Sequence, residues 1–478
     1  MKLFRRLLLT GLALVMTLSL CACAGSGTPS DPAGSDPTSN SKPTYELIED
    51  LEGYEFTWGT IWNWANYPEE GATAYGDRRL ESYNRVMQQY NCDIQHTTIN
   101  AVSFSSELGR SIASGDKYYD FFQVDFSRYQ ATWEDLMPLN TLDAINIEDD
   151  KWIDSVTQMY TGVDGNVYGL GYDYQRMPFG YMMVYNKTLL QAFDQPDPYE
   201  LVKNNQWNFE TFAQIARNLT KRSTDGKVSQ WGLSGIDWNA SGVELPFIFA
   251  NGGRQIKKDA EGMWKFAMLD DDAQYALNYL HQLIAVDGVL HYTAPQQGAY
   301  ENFADGKVGF FICGTDYLYG LDSGNNPLKE GIEWGIVPLP MGPDATEYQS
   351  FSTDGLGWAM MKVNPDADKA AKIFNAIADP VYETVEKDRE AFFRTFKATY
   401  LTGSDQKLEM LQKCIDSVII NEAWGVPGMP ETIAAAITEC VHGSEYTPKV
   451  AMETISGTCQ WYIDAYFYGV EDEYPPEN

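Results

Sequence analysis

The sequence predicts an α/β protein, and three observations carry that class. Segments of β-like and helix-like pattern alternate through residues 54–314; 44% of the chain is hydrophobic and 14% aromatic; and one leading segment with a polar stretch behind it falls outside the pattern. Strands separated by helices of this length build right-handed βαβ crossovers, and those put the strands parallel in one sheet.

The chain opens with MKLFRRLLLTGLALVMTLSL, where Lys2, Arg5 and Arg6 precede an apolar run over 7–20. A basic start and a short apolar core describe a secretory signal, too short for a membrane span of about 20 residues. It ends in Leu20-Cys21-Ala22-Cys23, which resembles the lipobox of bacterial lipoproteins. Cys23 follows the small Ala22 and is the expected lipidation site; Cys21 follows the bulkier Leu20. A signal over 1–22 and a tether over 23–45 follow, because GSGTPSDPAGSDPTSNSKP has almost nothing to bury. Acyl chains contribute about 0.8 kcal/mol per buried methylene, so the expected location is the cell surface, lipid-anchored to the outer face of the cytoplasmic membrane.

Beyond the tether, YEFTWGTIW (54–62) reads as a strand, 78–90 as an amphipathic helix, CDIQHTTI (92–99) as a strand, 104–114 as a helix and YDFFQVD (119–125) as a short buried strand. The scheme returns with helical FETFAQIARNLT before WGLSGID (231–237), and PQQGAYENFA before GKVGFFICG (306–314). Asp270, Asp271 and Asp272 open a further helix, where carboxylates suit the positive N-terminal end. After Pro365, ADKAAKIFNAIA, KLEMLQKCIDSVI, ETIAAAITECV and VAMETISGTCQWYIDAYF are all helical, a wrap over the α/β body.

Formal charge is −33, which repels phosphate backbones, so nucleic acid is excluded as a partner. Cys92, Cys313, Cys414, Cys440 and Cys459 are odd in number and lack a CxxC; Cys440 with Cys459 is the one candidate bridge, and buried free thiols are expected. His96, His281, His291 and His442 form no HExxH, so no metal and no cofactor is expected.

The order of the pieces resembles an extracellular solute-binding protein (family 1) of a carbohydrate ABC transporter, the maltose-binding-protein-like lipoproteins. YDFFQVD resembles the strand ending in a ligand-side aspartate, and VYGLGYDYQRMPFGYMMVYNKTLL the crossing into a second lobe with its Tyr-Asn-Lys. DPYELVKNNQWNFETFAQIARNLT, GKVGFFICGTDYL, WGIVPLPMG and DGLGWAMMKVNPDADKAAKIFNAI follow in the family's order. The resemblance implies a type II periplasmic-binding-protein fold: two α/β lobes joined by a hinge, with a ligand cleft between them that closes by bending. Lobe 1 would take 46–174 and a return segment 350–400; lobe 2 would take 175–349; helices over 401–478 would pack on the lobes, mainly lobe 2. A carbohydrate ligand, ABC permease subunits and the membrane through the anchor are the implied partners, with the chain a monomer.

A sugar ring has apolar faces and a rim of hydroxyls, so its site needs aromatic plates beside planar hydrogen-bonding groups, and discrimination arises where desolvated polar groups go unmatched. In WGTIWNWANY, Trp62 and Trp64 stand past a strand end where ligands gather in open α/β sheets, whereas Trp58 lies inside the strand and belongs to the core. SGIDWNASG presents Asp237, Trp238 and Asn239; a structured turn is the competing reading. Asp125 follows a buried strand, where an acceptor for hydroxyls competes with a helix cap. Asp173 and Tyr174 lie at the crossing, Thr315, Asp316 and Tyr317 follow Gly314, and Asp354 lies in STDGLGW. Trp424 in NEAWGVPG resembles a ligand-stacking aromatic of the family.

KRSTDGKVSQWG (221–232) resembles the calcium loop of some relatives, but Lys221 and Ser223 replace two acids and Gly232 stands where a bidentate glutamate belongs, so an ordinary turn is expected. Two rival functions stay open at this level. A surface glycoside hydrolase would also use acids and tryptophans, but no stretch resembles its catalytic motifs, so no catalytic residue is assigned. The same fold could instead hold a peptide or cationic solute.

Overall fold

The computed structural model describes residues 43–61, 68–100, 103–172, 180–236, 240, 242–293, 296–314, 318, 328–352, 355–443 and 446–470. Two separate sheets organise residues 45–470. The first is built from β1 (Tyr54–Thr60), β2 (Cys92–Thr98), β3 (Phe121–Asp125) and a later strand, β13 (Leu356–Ala359), in the order β13-β3-β1-β2. Strands β1, β2 and β3 are parallel and β13 runs antiparallel to β3, with Leu356 opposite Asp125 and Ala359 opposite Phe122.

The second sheet takes β4 (Met182–Asn186), β5 (Lys221–Arg222), β6 (Val228–Ile236), β9 (Leu290–Thr293), β10 (Val308–Cys313) and β11 (Trp334–Val337). Its order is β11-β4-β10-β6-β5, with β9 also on β6; β6, β9 and β10 are parallel. Two small ribbons complete the strands: β7 (Ile256–Lys258) with β8 (Trp264–Phe266), and β12 (Ser350–Phe351) with β14 (Val418–Ile419).

Burial follows the pleat. Phe121 faces one side of the first sheet, where its ring stacks 3.9 Å from Phe374 of the helix Ala367–Ile377; Phe122 and Val124 face the other. Trp58 is core, as its place inside β1 predicts, edge-on to Trp358 at 4.7 Å. The second lobe packs around Trp207, wholly buried, whose indole N–H donates to Pro338 O at 2.9 Å. Helix starts obey local chemistry: Asn208 caps Phe209–Leu219 through Thr211 N–H, Thr384 caps Val385–Tyr400 and Thr447 caps Pro448–Tyr468. The helix Val385–Tyr400 is absent from the sequence reading.

Strand β6 passes so close to the helix Phe209–Leu219 that a Cβ at Gly232 would lie 2.1 Å from Ala216 O. No glutamate fits there, which is a packing reason for the glycine in the calcium-like stretch. Asp225 instead closes a turn with Ser223 around Gly226, whose φ is +84°. Cys313, Cys414, Cys440 and Cys459 are buried free thiols, and burial pushes the Cys440 and Cys459 thiols up to about 12.

Candidate functional site

The chain passes between the two sheets three times. The first pass leaves Leu170, bridged to Trp358 of the first lobe, and arrives at Tyr181, which leads into β4. The second runs from β12 to β13, and the third follows Val385–Tyr400, which starts beside the helix Ala74–Tyr90, to the helix Asp405–Asp416 on β11. The passes are stitched together: Tyr181 N–H donates to Phe351 O at 2.9 Å, Ser350 Oγ donates to Tyr181 O at 2.9 Å, and Ser350 N–H donates to Ser417 O at 3.0 Å. Gly180 has a φ of +70°, and a Cβ on it would lie 2.7 Å from Val418 Cγ2. Few side chains fit such a joint.

Of the residues assigned to a ligand from the sequence, Asp125 and Trp424 fall among those described. Asp125 ends β3 and caps the helix Phe126–Thr132 by accepting from Arg128 N–H at 2.9 Å; its other oxygen pairs with the Arg128 guanidinium. The competing cap role is therefore occupied. Trp424 is half-buried with its ring 6.3 Å from Phe351, next to the hinge strands. Neither residue lines the chamber described next. Trp62, Trp64, Asp173, Tyr174, Asp237, Trp238, Asn239, Thr315, Asp316, Tyr317 and Asp354 lie outside the described residues, as does Cys23.

A chamber of about 450 Å³ does open between the lobes, lined by residues the sequence reading passed over. Phe126, Tyr129, Gln130 and Trp133 recur at the spacing of one helix face, and this face, opposite Arg128, forms the first-lobe wall together with the end of the helix Asp154–Met159 and residues 161–163. Tyr129 is braced by Tyr160 at 4.9 Å, and Trp133 meets Tyr168 edge-on at 5.5 Å. Across from them stand Lys258 and Trp264 of the β7–β8 hairpin, Ile420 and Glu422 just past β14, and Tyr466 to Tyr468 at the end of the C-terminal helix. Trp264 is held twice: its backbone N–H donates to Tyr468 Oη at 2.6 Å, and its ring lies 5.3 Å from Phe467.

One hydrogen bond spans the chamber floor, from Gln130 Nε2 to Glu422 O at 3.0 Å. Burial pushes the Glu422 carboxyl up, only partly offset by its own N–H and by the charges of Arg254 and Lys258. Apart from its own N–H, no donor or cation touches that carboxylate among the described residues. Burial likewise raises the Tyr466 hydroxyl to about 12, with Gln130 as a hydrogen-bonding neighbour. The aromatic spacing in FSRYQATW was visible in the sequence, but it is also the spacing of a core-facing helix, and nothing local separates the two.

Comparison with known proteins fixes the class. A family model of bacterial extracellular solute-binding proteins matches residues 83–383. Among solved structures, a cyclic alpha-maltosyl-1,6-maltose binding protein from Arthrobacter globiformis is similar at 17% identity and a TM-score of 0.61, covering 87% of this chain and 100% of that one. An ABC substrate-binding protein from Listeria monocytogenes in complex with cycloalternan is similar at 15% identity and a TM-score of 0.59, covering 86% and 98%. A third, from Agrobacterium radiobacter K84 in complex with ribitol, is similar at 17% identity and a TM-score of 0.55, covering 87% and 100%. The comparison with curated proteins finds no relative. These likenesses show the two-lobed α/β fold, and the family match, over more than half the length, shows the membership: the chain is a bacterial extracellular solute-binding protein.

Proposed function

We propose that this protein captures a sugar or oligosaccharide in the cleft between its lobes and delivers it, chemically unchanged, to a membrane permease. The observation that carries the reading is the family match laid over a two-sheet body whose lobes meet through thin, hydrogen-bonded strands. A ligand touching both lobes favours the closed form, because only that form offers the second set of contacts. The solved relatives hold an oligosaccharide and a polyol, which supports a polyhydroxylated ligand for this chain. In the same reading, lobe 1 comprises 46–174 and 350–400, lobe 2 comprises 175–349 with most of 401–478, and Cys23 carries the lipid anchor. Trp62, Trp64, Asp125, Asp173, Tyr174, Asp237, Trp238, Asn239, Thr315, Asp316, Tyr317, Asp354 and Trp424 are the proposed contacts.

Thermal shift with a panel of mono- and oligosaccharides tests this directly. A ligand at a hundred times its Kd stabilises the folded state by about 2.7 kcal/mol, which raises Tm by several degrees. Recovery of the sugar intact completes the result. Cleavage of the sugar, or a shift with cationic peptides and none with saccharides, overturns the proposal.

A further inference from the structure

We propose that the chamber between the helix Phe126–Thr132 and the C-terminal helix is a second site of this protein, taking a neutral, polyhydroxylated ring, in chemical class a sugar or cyclic polyol. Among the described residues the chamber's lining does not include the ends of β6 and β10. Its second-lobe wall, among those residues, is the β7–β8 hairpin, the exit from β14 and the end of the Pro448–Tyr468 helix. On the first lobe it uses the helix face turned away from Asp125 and Arg128.

Three features select the ligand. Tyr129 and Trp133 on one lobe and Trp264 and Tyr466 on the other give aromatic surfaces on opposite walls, suited to the two apolar faces of a ring. The volume, about 450 Å³, lies in the range of about 300–1,000 Å³ typical of small-molecule sites. The charged lining is one carboxylate, Glu422, and one ammonium, Lys258, the latter 4.8 Å from the Trp264 ring. That balance gives neither a cation nor an anion a net attraction, whereas hydroxyls can donate to Glu422 and accept from Lys258. Among the described residues only its own N–H touches the Glu422 carboxylate, and a partly buried charge with so few partners is a cost that a hydroxyl donor would relieve. Because the walls belong to different lobes, an occupant here couples to closure of the cleft, and the coupling acts equally in both directions.

Isothermal titration of the full mature protein with maltose, maltotetraose and ribitol as probes tests the inference. It compares wild type with chamber variants (Trp264→Ala, Glu422→Ala and the conservative Glu422→Gln) and with cleft variants (Trp62→Ala and Trp64→Ala). The expected result is a binding event that Trp264→Ala and Glu422→Ala weaken about tenfold or more, with Glu422→Gln intermediate, and that survives in the cleft variants. If folded chamber variants bind every probe with wild-type affinity and stoichiometry, the chamber proposal is overturned. In that case retention of a single event sensitive to Trp62 and Trp64 leaves the capture reading standing, and loss of binding in the cleft variants alone points to the cleft.

Discussion

Two carboxylates, Asp120 and Glu422, are handled in opposite ways. Asp120, at the start of β3, is fully buried and saturated: Tyr54 Oη donates at 2.6 Å, Lys117 Nζ at 2.8 Å, Thr57 N and Oγ1 at 2.8 Å each, and Asn364 Nδ2 at 3.2 Å. Burial alone would raise its pKa, but Lys117, the Thr57 amide, Tyr54 and the Thr57 hydroxyl outweigh burial and hold it below the usual carboxylate value. Glu422 is half-buried; burial pushes its pKa up, and among the described residues only its own N–H and the more distant charges of Arg254 and Lys258 oppose that. A satisfied buried charge fixes the geometry of β1, β3 and the loop before the helix Ala367–Ile377. The half-buried one, with few partners among the described residues, stands in the wall of an open chamber.

The contrast is sharpest if Asp120 is broken. Asp120→Ala leaves Lys117 and four neutral donors without their acceptor, and removal of one partner from a buried ionic cluster costs about 3–5 kcal/mol. Urea denaturation of the purified protein, with the change in midpoint at constant m, reads that loss. A loss under about 1 kcal/mol would mean that the cluster is solvated and the comparison unsound. The pH dependence follows from the sign: with a folded pKa below the unfolded value of about 3.9, the contribution of Asp120 is present above that value and disappears as pH falls through the folded one.

A smaller step isolates the ionic part. Lys117→Met keeps the neutral donors but removes the one cation, whose side chain is 29% exposed. The expected loss is about 1–2 kcal/mol, the range of a hydrogen bond to a charged group discounted for exposure. Together with Asp120→Ala, the double variant closes a thermodynamic cycle. Additive losses would separate Lys117 from the cluster, and a double variant no worse than Asp120→Ala alone would confirm that Lys117 acts through it.

The same contrast explains what could be read in advance. Alternation of strands and helices was legible because β1, β2, β3 and the helices between them carry periodic apolar faces; YDFFQVD announces a strand buried on both faces. Strands β12 and β14 were not legible, since two-residue strands have no period, and their pairing depends on distant chain passes meeting. Val385–Tyr400 was missed because its apolar residues bunch at Phe392, Phe393 and Phe396 behind a first turn of charges, hiding the helical repeat. At the site, a strand end could be read as a place where ligands gather, but Asp125 shows that the same residue type also caps a helix there, and the sequence alone does not separate the two. The chamber was illegible for a different reason. Its wall joins residues near 130, 160, 260, 420 and 466, a juxtaposition produced by the three passes and by no local pattern.

The least perturbing test reverses the sign at Glu422. A carboxyl whose folded pKa is raised holds its proton longer in the folded state than in the unfolded chain. The protein therefore loses stability as pH rises from about 4.3, the unfolded value, through the folded one. Glu422→Gln removes that titration while keeping the shape. It should leave stability near pH 4 almost unchanged and raise it at pH 7 by less than about 1 kcal/mol, a small gain because the group is only partly buried. Paired melts of wild type and variant across that interval measure the difference. A variant less stable than wild type at pH 7 would mean that Glu422 has partners strong enough to hold its charge, and would place it with Asp120 as a structural residue. A gain at pH 7 that disappears on adding a saccharide would instead show that the carboxylate's cost in the empty protein is offset by the ligand it contacts.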